Sequence, residues 1–470
     1  MSYGEIAVPK KRKKYRYEQK TLGALDRRNQ YVGGGTVELE NIDTDYLPWL
    51  KAARSPRLVY GIKDVDGVLD VLAADGKIYV LVYADELQIY LYIISNGEIE
   101  WRYFVCKETS YDNLSQYRMV RFNQFTSLTD PVDGKYLHKI LVLPGFYVLD
   151  VCCRKSISHD VDALYPDVNK GVVFSSRLFC AGGGKVYASN FNEFTKFEFD
   201  TADEAISSNA WMSSTQSNTK SGGDITAISL YDGHVVVFKE NYMHQIYNNK
   251  NPFRIVDIGE FGCISDRGVC TFSDKLAFVS LSGVMLYGGG YPYCISDELG
   301  IDDFSGSIIC ATDNKLYLYM TLQKKMFVYA KKSGCWSTRD VDNVFLLFSD
   351  GMNAYYVTTD DYGIYMLDSD EPGNFYIRGD YSTLGKNGAK RLSELGILLG
   401  ISDGAEVEVN LRDDADNITS VFSTDEPGVY FVEKKISRSP AYFTGIEVRG
   451  SGEVSIGDVE FTFESEGGCI

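Results

Sequence analysis

Histidine is the residue type that most often supplies metal ligands and proton-transfer groups near neutral pH, and the chain has four of them. They are His138, His159, His234 and His244. Only the last two are close enough in sequence to be neighbours across a hairpin. A metal site at that pair is the less favoured alternative, so we expect packed or surface histidines and no metal.

Paired carboxylates would permit a second chemistry, the acid-assisted hydrolysis of glycosidic bonds. Adjacent acids occur at Asp302 and Asp303 and within residues 413–416, but a chain with 65 Asp and Glu residues has such pairs by chance. The repeated Asp-box of propeller glycosidases has one near match, residues 333–336, which lacks the central acid. Calcium binding at residues 413–417 is an alternative to a solvated hairpin tip. We expect no catalytic residue.

Glycine-rich loops hold phosphates when they join a strand to the N-terminus of a helix. The two glycine triplets, residues 182–184 and 288–290, lead into strand-like or irregular sequence instead. They are typical of turns, and we therefore expect no nucleotide or other cofactor.

The formal net charge of -18 argues against a general nucleic-acid binder, because an acidic surface repels phosphate. One basic run near the N-terminus departs from that balance. We interpret it as a solvated arm or one that docks on a partner, with DNA or RNA contact as the alternative. Its candidate partner-contact residues are Lys10, Lys11, Arg12, Lys13, Lys14 and Arg16.

The spacing of the cysteines and the hydropathy of the sequence indicate in which cellular compartment the protein is expected. The ten cysteines show no C-x-x-C spacing, which is typical of free thiols in a reducing cytoplasm. The sequence has neither an apolar signal core near Met1 nor an apolar run of about 18 residues. We expect a soluble protein that does not enter a membrane.

The elements that must position any site are short strands in a repeating pattern. From residue 65, alternating apolar runs are separated by Asp-Gly or similar turns, the strongest local signal for hairpins. In the later part of this region the turn residues Asp232, Asp274, Asp313 and Asp350 recur roughly every 40 residues, the length of one four-stranded propeller blade. The pattern predicts a β-propeller over residues 65–372 with about six blades, and seven as the alternative.

The ends of the chain follow other patterns. Residues 373–470 show clean strand alternation typical of an antiparallel β-sandwich. Residues 1–64 lack a sustained period and are interpreted as an extended N-terminal arm or lead-in. The predicted fold class is therefore all-β, a propeller followed by a C-terminal sandwich.

Several segments of the chain resemble a family of bacteriophage virion proteins. The resemblance lies in residues 40–57 before the propeller, in residues 177–192, in the blade segment 258–284 and in residues 381–409 with the terminal glycines. These segments are similar to the propeller-bearing tail hub, or nozzle, proteins of short-tailed phages.

This resemblance implies a non-enzymatic structural component of a double-stranded DNA phage tail or neck. The protein would assemble in the host cytoplasm into a ring, a hexamer by family expectation, beside neighbouring tail, neck or portal-adaptor proteins. Genomic DNA would pass through the acidic lumen of the ring without sequence-specific binding.

Two alternatives remain open from the residues themselves. One is a receptor- or glycan-binding propeller at the tail tip, which requires exposed aromatic side chains clustered on one face. The other is a propeller glycoside hydrolase, which requires several carboxylates and an arginine cluster converging at the mouth of the propeller axis.

Overall fold

The structure is a computed structural model. It describes residues 14–19, 22, 25–28, 36–125, 136–151, 157–199, 206–214, 222–248, 250–384, 388–437 and 439–465. Strands are numbered in chain order. The first five are β1 (Lys14–Gln19), β2 (Thr36–Glu40), β3 (Ile42–Asp43), β4 (Leu50–Ala52) and β5 (Arg57–Gly61).

Seven small antiparallel sheets follow one another along the chain and form the blades of a propeller. Blade 1 contains β6 (Gly67–Ala74), β7 (Lys77–Ala84), β8 (Gln88–Ser95) and β9 (Glu98–Lys107). Blade 2 contains β10 (Arg118–Phe125), β11 (Tyr136–Leu143) and β12 (Tyr147–Asp150). Blade 3 contains β13 (Lys170–Phe174), β14 (Arg177–Gly182), β15 (Lys185–Ala188) and β16 (Trp211–Ser214). Blade 4 contains β17 (Ile225–Tyr231), β18 (His234–Lys239), β19 (Met243–Tyr247) and β20 (Arg254–Gly259). Blade 5 contains β21 (Val269–Phe272), β22 (Lys275–Ser280), β23 (Gly283–Tyr287) and β24 (Tyr293–Cys294). Blade 6 contains β25 (Ile308–Ala311), β26 (Lys315–Met320), β27 (Lys325–Ala330) and β28 (Cys335–Arg339). Blade 7 contains β29 (Val344–Ser349), β30 (Ala354–Thr358) and β31 (Gly363–Met366).

The ring of blades is closed by the N-terminal segment. The first strand of each blade is innermost, and these strands lie side by side in the cyclic order β6, β10, β13, β17, β21, β25, β29 and back to β6. The outer strand of blade 7 is β5, which pairs antiparallel with β31. Since β5 precedes blade 1 in the chain, the last blade is completed by a strand from the other end of the propeller sequence.

Hydrophobic side chains hold neighbouring blades together. Most blade-to-blade interfaces have their own buried cluster, for example Leu81 and Val142 between blades 1 and 2, or Phe238 and Phe278 between blades 4 and 5. The interface between blades 5 and 6 belongs to a larger core shared with the sandwich. A blade buries apolar residues on both faces only when it is stacked on two others, so closure of the ring is the state that hides all of them.

The predicted Asp-Gly hairpins are present where the sequence places them. Asp75 and Gly76 have φ of 53° and 72°, and Asp232 and Gly233 have φ of 45° and 69°. Two consecutive positive φ values are the backbone of a type I′ turn, whose twist matches that of the strands it joins.

The blade count is seven, the higher of the two numbers the sequence suggested. The unit without a sequence signal is blade 2. Its β11–β12 turn contains Pro144 and Gly145 and lacks an Asp-Gly pair, and its β10–β11 connection, residues 126–135, lies outside the described residues. Within the described residues it has three strands where the other blades have four.

The C-terminal part forms two further sheets that pack as a sandwich. Its strands are β32 (Asn374–Gly379), β33 (Lys390–Ile401), β34 (Glu406–Arg412), β35 (Ile418–Thr424), β36 (Gly428–Lys435), β37 (Gly445–Ser451) and β38 (Val454–Ser465). One sheet has the order β3-β4-β38-β33-β36, with β1 also pairing with β38; the other has the order β2-β32-β37-β34-β35. The predicted lead-in 1–64 thus contributes β1 to β4 to the sandwich and β5 to blade 7.

The sandwich and the propeller are continuous at blade 6. Strand β2 touches β28 through a parallel bridge between Glu40 and Thr338, and one hydrophobic core contains Trp336 and Phe327 of blade 6 together with Ile377 of the sandwich. Short 3-10 helices occur at Tyr111–Gln116, Asp266–Gly268 and Asp297–Leu299. No helix in the described ranges is long and apolar enough to cross a bilayer.

Candidate active site at the axial mouth

Charged side chains from several blades meet at the end of the propeller where the inner strands begin. Arg118 is the first residue of β10, Lys170 is the first residue of β13, and Asp266 and Arg267 form the 3-10 turn that leads into β21. Asp70 lies in β6 next to a register shift between Val68 and Asp70, and such bulges change the direction of a side chain. We call Asp70, Arg118, Lys170, Asp266 and Arg267 the axial cluster.

An ion pair in this cluster crosses the propeller axis. The Arg118 guanidinium donates through Nε to Asp266 Oδ2 at 2.5 Å and through Nη2 to Oδ1 at 3.4 Å. Blades 2 and 5 stand opposite each other in a ring of seven, so this pair joins the two sides of the mouth. The two side chains keep 19% and 22% of their surface exposed, which leaves the pair within reach of a ligand.

The rest of the cluster is fixed by backbone contacts. Asp70 Oδ2 accepts a hydrogen bond from the backbone N–H of Met119 at 2.8 Å, which ties blade 1 to blade 2. Arg267 Nη2 donates to the carbonyl of Leu69 at 2.9 Å, and its guanidinium lies 5.3 Å from the centre of the Phe345 ring of blade 7. The Nε atom of Arg267 is buried and has no hydrogen-bond partner.

The surroundings shift the pKa values of the Asp70 and Asp266 carboxyl groups in opposite directions. Burial raises the pKa of Asp70 above its ordinary value, and the positive charge of Arg118 offsets this only in part. Burial also acts against ionisation of Asp266, but Arg118, with Lys170 and Arg267, holds the pKa of Asp266 below its ordinary value. The pKa of Asp70 is therefore shifted up and that of Asp266 down, an asymmetry of the kind that separates the acid from the base in acid-base chemistry.

A second polar group lies in blade 4 beside the mouth. His244 Nδ1 lies 2.8 Å from Asp257 Oδ1, while His244 Nε2 is buried without a partner. Burial lowers the pKa of His244, and the Asp257 carboxylate opposes that shift. Lys239, which is 1% exposed, pairs in register with Ile225 at the start of β17, so this group lies behind the mouth.

The histidines expected to be neighbours are apart. His234 begins β18 and packs against Tyr247, whereas His244 is opposite Val237 towards the other end of the same hairpin. The described residues contain no group of His, Cys, Asp or Glu side chains that could hold a metal ion. Sequence proximity suggested the pair; the register of the hairpin separates it.

The other acidic candidates are used locally. Asp413 Oδ1 accepts from the backbone N–H groups of Ala415 and Asn417, and Asp414 accepts from those of Tyr442 and Phe443. These carboxylates stabilise a hairpin tip, the alternative to calcium binding. The near-match to an Asp-box is structural as well, since Trp336 is fully buried and donates to the Ile295 carbonyl at 2.6 Å.

The basic run is only partly described. Lys10, Lys11, Arg12 and Lys13 lie outside the described residues. Lys14 and Arg16 lie in β1, where Arg16 pairs with Glu460 of β38. Their role in partner contact stays a prediction.

Sequence reasoning named none of the five residues of the axial cluster as a site. They are up to 197 positions apart, from Asp70 to Arg267, and each has an unremarkable local context. Arg118 and Lys170 are the first residues of inner strands and Asp266 lies three residues before another, but no pattern in the sequence marked these positions.

Comparison with known proteins gives similarity of fold. No protein-family model and no curated protein matches the chain. Among solved structures, it is similar to a glycoside hydrolase family 43 arabinoxylan arabinofuranohydrolase from Bacillus subtilis, at 10% identity and a TM-score of 0.27 over 86% of this chain and 97% of that one. An exo-beta-1,3-galactanase from Phanerochaete chrysosporium matches at 9% identity and a TM-score of 0.23, over 86% of this chain and 100% of that one. A protein of unknown function from Bacteroides thetaiotaomicron matches at 12% identity and a TM-score of 0.32, over 73% of this chain and 100% of that one.

One expectation from the sequence is corrected and another is confirmed. The expectation that the chain is not an enzyme is corrected, because two of the three similar structures are named as glycoside hydrolases, a likeness of fold that leaves any activity of this chain to be proposed. The expected all-β class with a propeller is confirmed by the sheets of the described residues. The resemblance to phage tail hub proteins is not tested by these comparisons and stays a prediction. The chain is thus a seven-bladed β-propeller joined to a β-sandwich.

Proposed function

We propose that the protein is a glycan-cleaving propeller whose active site is the axial cluster. The observation that carries the proposal is the meeting of two carboxyl groups, Asp70 and Asp266, with the guanidinium groups of Arg118 and Arg267 at one end of the axis. This is the arrangement that a propeller hydrolase requires and that the sequence left open.

The roles of the two acids follow from their surroundings. Asp70, whose pKa burial raises, is suited to give a proton to the departing glycosidic oxygen. Asp266, held ionised by Arg118, is suited to act opposite it, either on the sugar carbon or on a water molecule. Arg267, held by the Leu69 carbonyl and lying over Phe345, adds a fixed positive charge beside the two acids.

The test is hydrolysis by the purified full chain on a panel of polysaccharides. The panel includes arabinoxylan, a β-1,3-galactan and bacterial cell-wall glycans, with new reducing ends as the readout. Asp70→Asn and Asp266→Asn should each lower kcat by about 100-fold or more. Asp232→Asn is the matched control, since Asp232 is exposed at a hairpin tip and its positive φ suits Asn.

Absence of cleavage on the whole panel, or cleavage that survives both substitutions in folded protein, would overturn the assignment. Circular dichroism of each variant confirms folding. A fall in kcat with little change in KM separates a role in the chemical step from a general loss of binding.

A second candidate, ring assembly in a phage tail or neck, is favoured by two open edges of the sandwich. Strands β35 and β36 are the last strands of their sheets and are joined by a short loop. They expose Ile418, Val429 and Phe431 by 56%, 74% and 45%. Open edges with exposed apolar side chains are templates for contact between copies. This role is compatible with hydrolysis by the same chain.

The solution mass of the full chain tests this second candidate. A ring should appear as a discrete multiple of 52.7 kDa that reverts to single chains in Val429→Lys. A monomer at every concentration in the micromolar range would count against self-assembly.

A further inference from the structure

A cleft lined by aromatic side chains lies between blades 2 and 3. Its cavity volume is about 690 Å³, within the range of small-ligand sites. One side is the segment from Ser158 to Tyr165 that follows blade 2, and the other is the segment from Glu193 to Glu198 in blade 3. We call this the aromatic cleft.

The floor of the cleft is a set of rings held in place from below. Tyr165 stacks on the buried Phe146 with centroids 4.5 Å apart and planes at 12°, and Phe197 meets Phe146 edge-on at 5.5 Å. Tyr165 and Phe197 are themselves partly exposed, while Phe146 is 1% exposed. The core thus fixes two ring surfaces that open to solvent.

The rim of the cleft carries alternating charges in a fixed arrangement. Lys196 Nζ lies 3.0 Å from Glu198 Oε1 and 3.6 Å from Glu193 Oε2. Asn190 Nδ2 donates to the same two carboxylates, at 3.2 Å to Glu193 and 3.1 Å to Glu198. Hydrogen-bond donors and acceptors therefore stand next to the rings, with two negative charges, Glu193 and Glu198, against the one positive charge of Lys196.

We propose that the aromatic cleft binds a neutral oligosaccharide as an accessory glycan site. Flat rings pack against the apolar C–H face of a sugar, and neighbouring carboxylates and an ammonium group bond its hydroxyls. The rim carboxylates are held by Lys196 and Asn190, so that they can accept from sugar hydroxyls, and an anionic ligand would be repelled by Glu193, Glu198 and the nearby Asp160. The proposal rests on the proposed function, since the site would hold the same polymer that the axial cluster cleaves.

The experiment measures binding separately from cleavage. Asp266→Asn protein is used throughout, so that glycans stay intact, and retardation in polysaccharide-containing native gels gives the affinity. Tyr165→Ala and Phe197→Ala should each weaken binding by about tenfold. Tyr291→Ala is the control, because Tyr291 is an aromatic residue that is 82% exposed elsewhere. The double variant Glu193→Gln and Glu198→Gln retains the side-chain shapes and should also weaken binding.

The outcomes separate the two proposals. Binding that is lost in the ring variants, in a protein with no hydrolytic activity on any glycan, would leave the cleft standing and overturn the axial site. Hydrolysis that depends on both acids, with binding unchanged in the ring and rim variants, would overturn the cleft alone. Absence of binding to every glycan of the panel would also overturn the cleft. With both sites correct, the ring variants raise KM on polymers and leave short soluble substrates unaffected.

Discussion

The Arg118 guanidinium and the Asp266 carboxylate are bonded to each other across the propeller axis, from blade 2 to blade 5. They are 148 residues apart in the chain, and no strand pairing connects their blades directly. The ion pair therefore serves two purposes. It bridges opposite sides of the ring, and it keeps Asp266 ionised at the mouth.

Loss of Arg118 should destabilise the fold. Arg118→Met leaves the mostly buried Asp266 carboxylate without its main partner, and we expect a decrease of about 2–3 kcal/mol in the free energy of unfolding. Urea titration at pH 7 measures it. Arg102→Met is the control, because that side chain is 46% exposed; its effect should stay below about 1 kcal/mol. Equal losses in the two variants would contradict a special role for Arg118.

The two carboxyl groups should give stability profiles of opposite sign with pH. The lowered pKa of Asp266 means that its contribution is present above the ordinary Asp value, about 3.9, and is lost as pH falls through the folded value. The raised pKa of Asp70 means that its contribution is present below about 3.9 and is lost as pH rises through the folded value.

Urea titrations between pH 3 and pH 8 test this pair of signs. Relative to the parent protein, Asp70→Asn should become more stable as pH rises, because it avoids ionising a buried acid. Asp266→Asn should become less stable over the same change. Parallel profiles for the two variants would show that the axial cluster does not separate the pKa values.

A buried ion network should couple the sandwich to the propeller. Lys315 of blade 6 pairs with Asp43 of β3 at 2.9 Å and with Asp368 after blade 7 at 3.2 Å, and Tyr317 also donates to Asp368. Lys315→Met removes the ion pair of Asp43 and leaves Asp368 with the Tyr317 hydroxyl and with Arg339 Nη2 at 3.9 Å, and we expect a loss of about 3 kcal/mol in the free energy of unfolding. Differential scanning calorimetry should resolve two transitions in this variant. The exposed Lys331→Met is the control, and one unchanged transition in Lys315→Met would rule the coupling out.

The closing strand β5 should govern the stability of blade 7. Tyr60 of β5 pairs with Ile364 of β31, and Tyr60→Pro removes the backbone N–H of this residue and fixes its φ, which should disturb the pairing of β5 with β31. Hydrogen exchange should accelerate in β31 and then in blades 7 and 1. Tyr60→Thr, which suits a strand, should leave exchange close to that of the parent. Unchanged protection of β31 in the proline variant would show that β5 is not needed for closure.

The parts of the fold that were predictable are those with local causes. The Asp-Gly pairs at Asp75 and Asp232, each between alternating apolar runs, adopt two positive φ values, so these hairpins were identifiable from the residues. At Asp350 and Gly351 only the glycine has positive φ. Their spacing of roughly 40 residues implied blades, since one hairpin pair cannot hide both faces. Blade 2 was not predicted, because its described turn contains Pro144 and Gly145, a weaker signal for a hairpin than an Asp-Gly pair.

The site was not predictable, because its residues share no local pattern. Asp70, Arg118 and Asp266 come from three blades, and the nearest two are 48 positions apart. What joins them is the closure of the ring, which brings the first residues of the inner strands to one end of the axis. The opposite shifts in pKa arise from burial and from charges across that axis, which have no counterpart along the chain.

Sequence by itself determined the all-β class, the blade rhythm and the sandwich pattern, because strand alternation and turn chemistry act over a few residues. Tertiary structure alone decided the number of blades, the use of β5 to close the ring, and the placing of β1 to β4 in the sandwich. It also decided that the pKa of Asp70 is raised and that of Asp266 is lowered. Those features depend on contacts between residues far apart in the chain, where burial and the distance between charges set the energies.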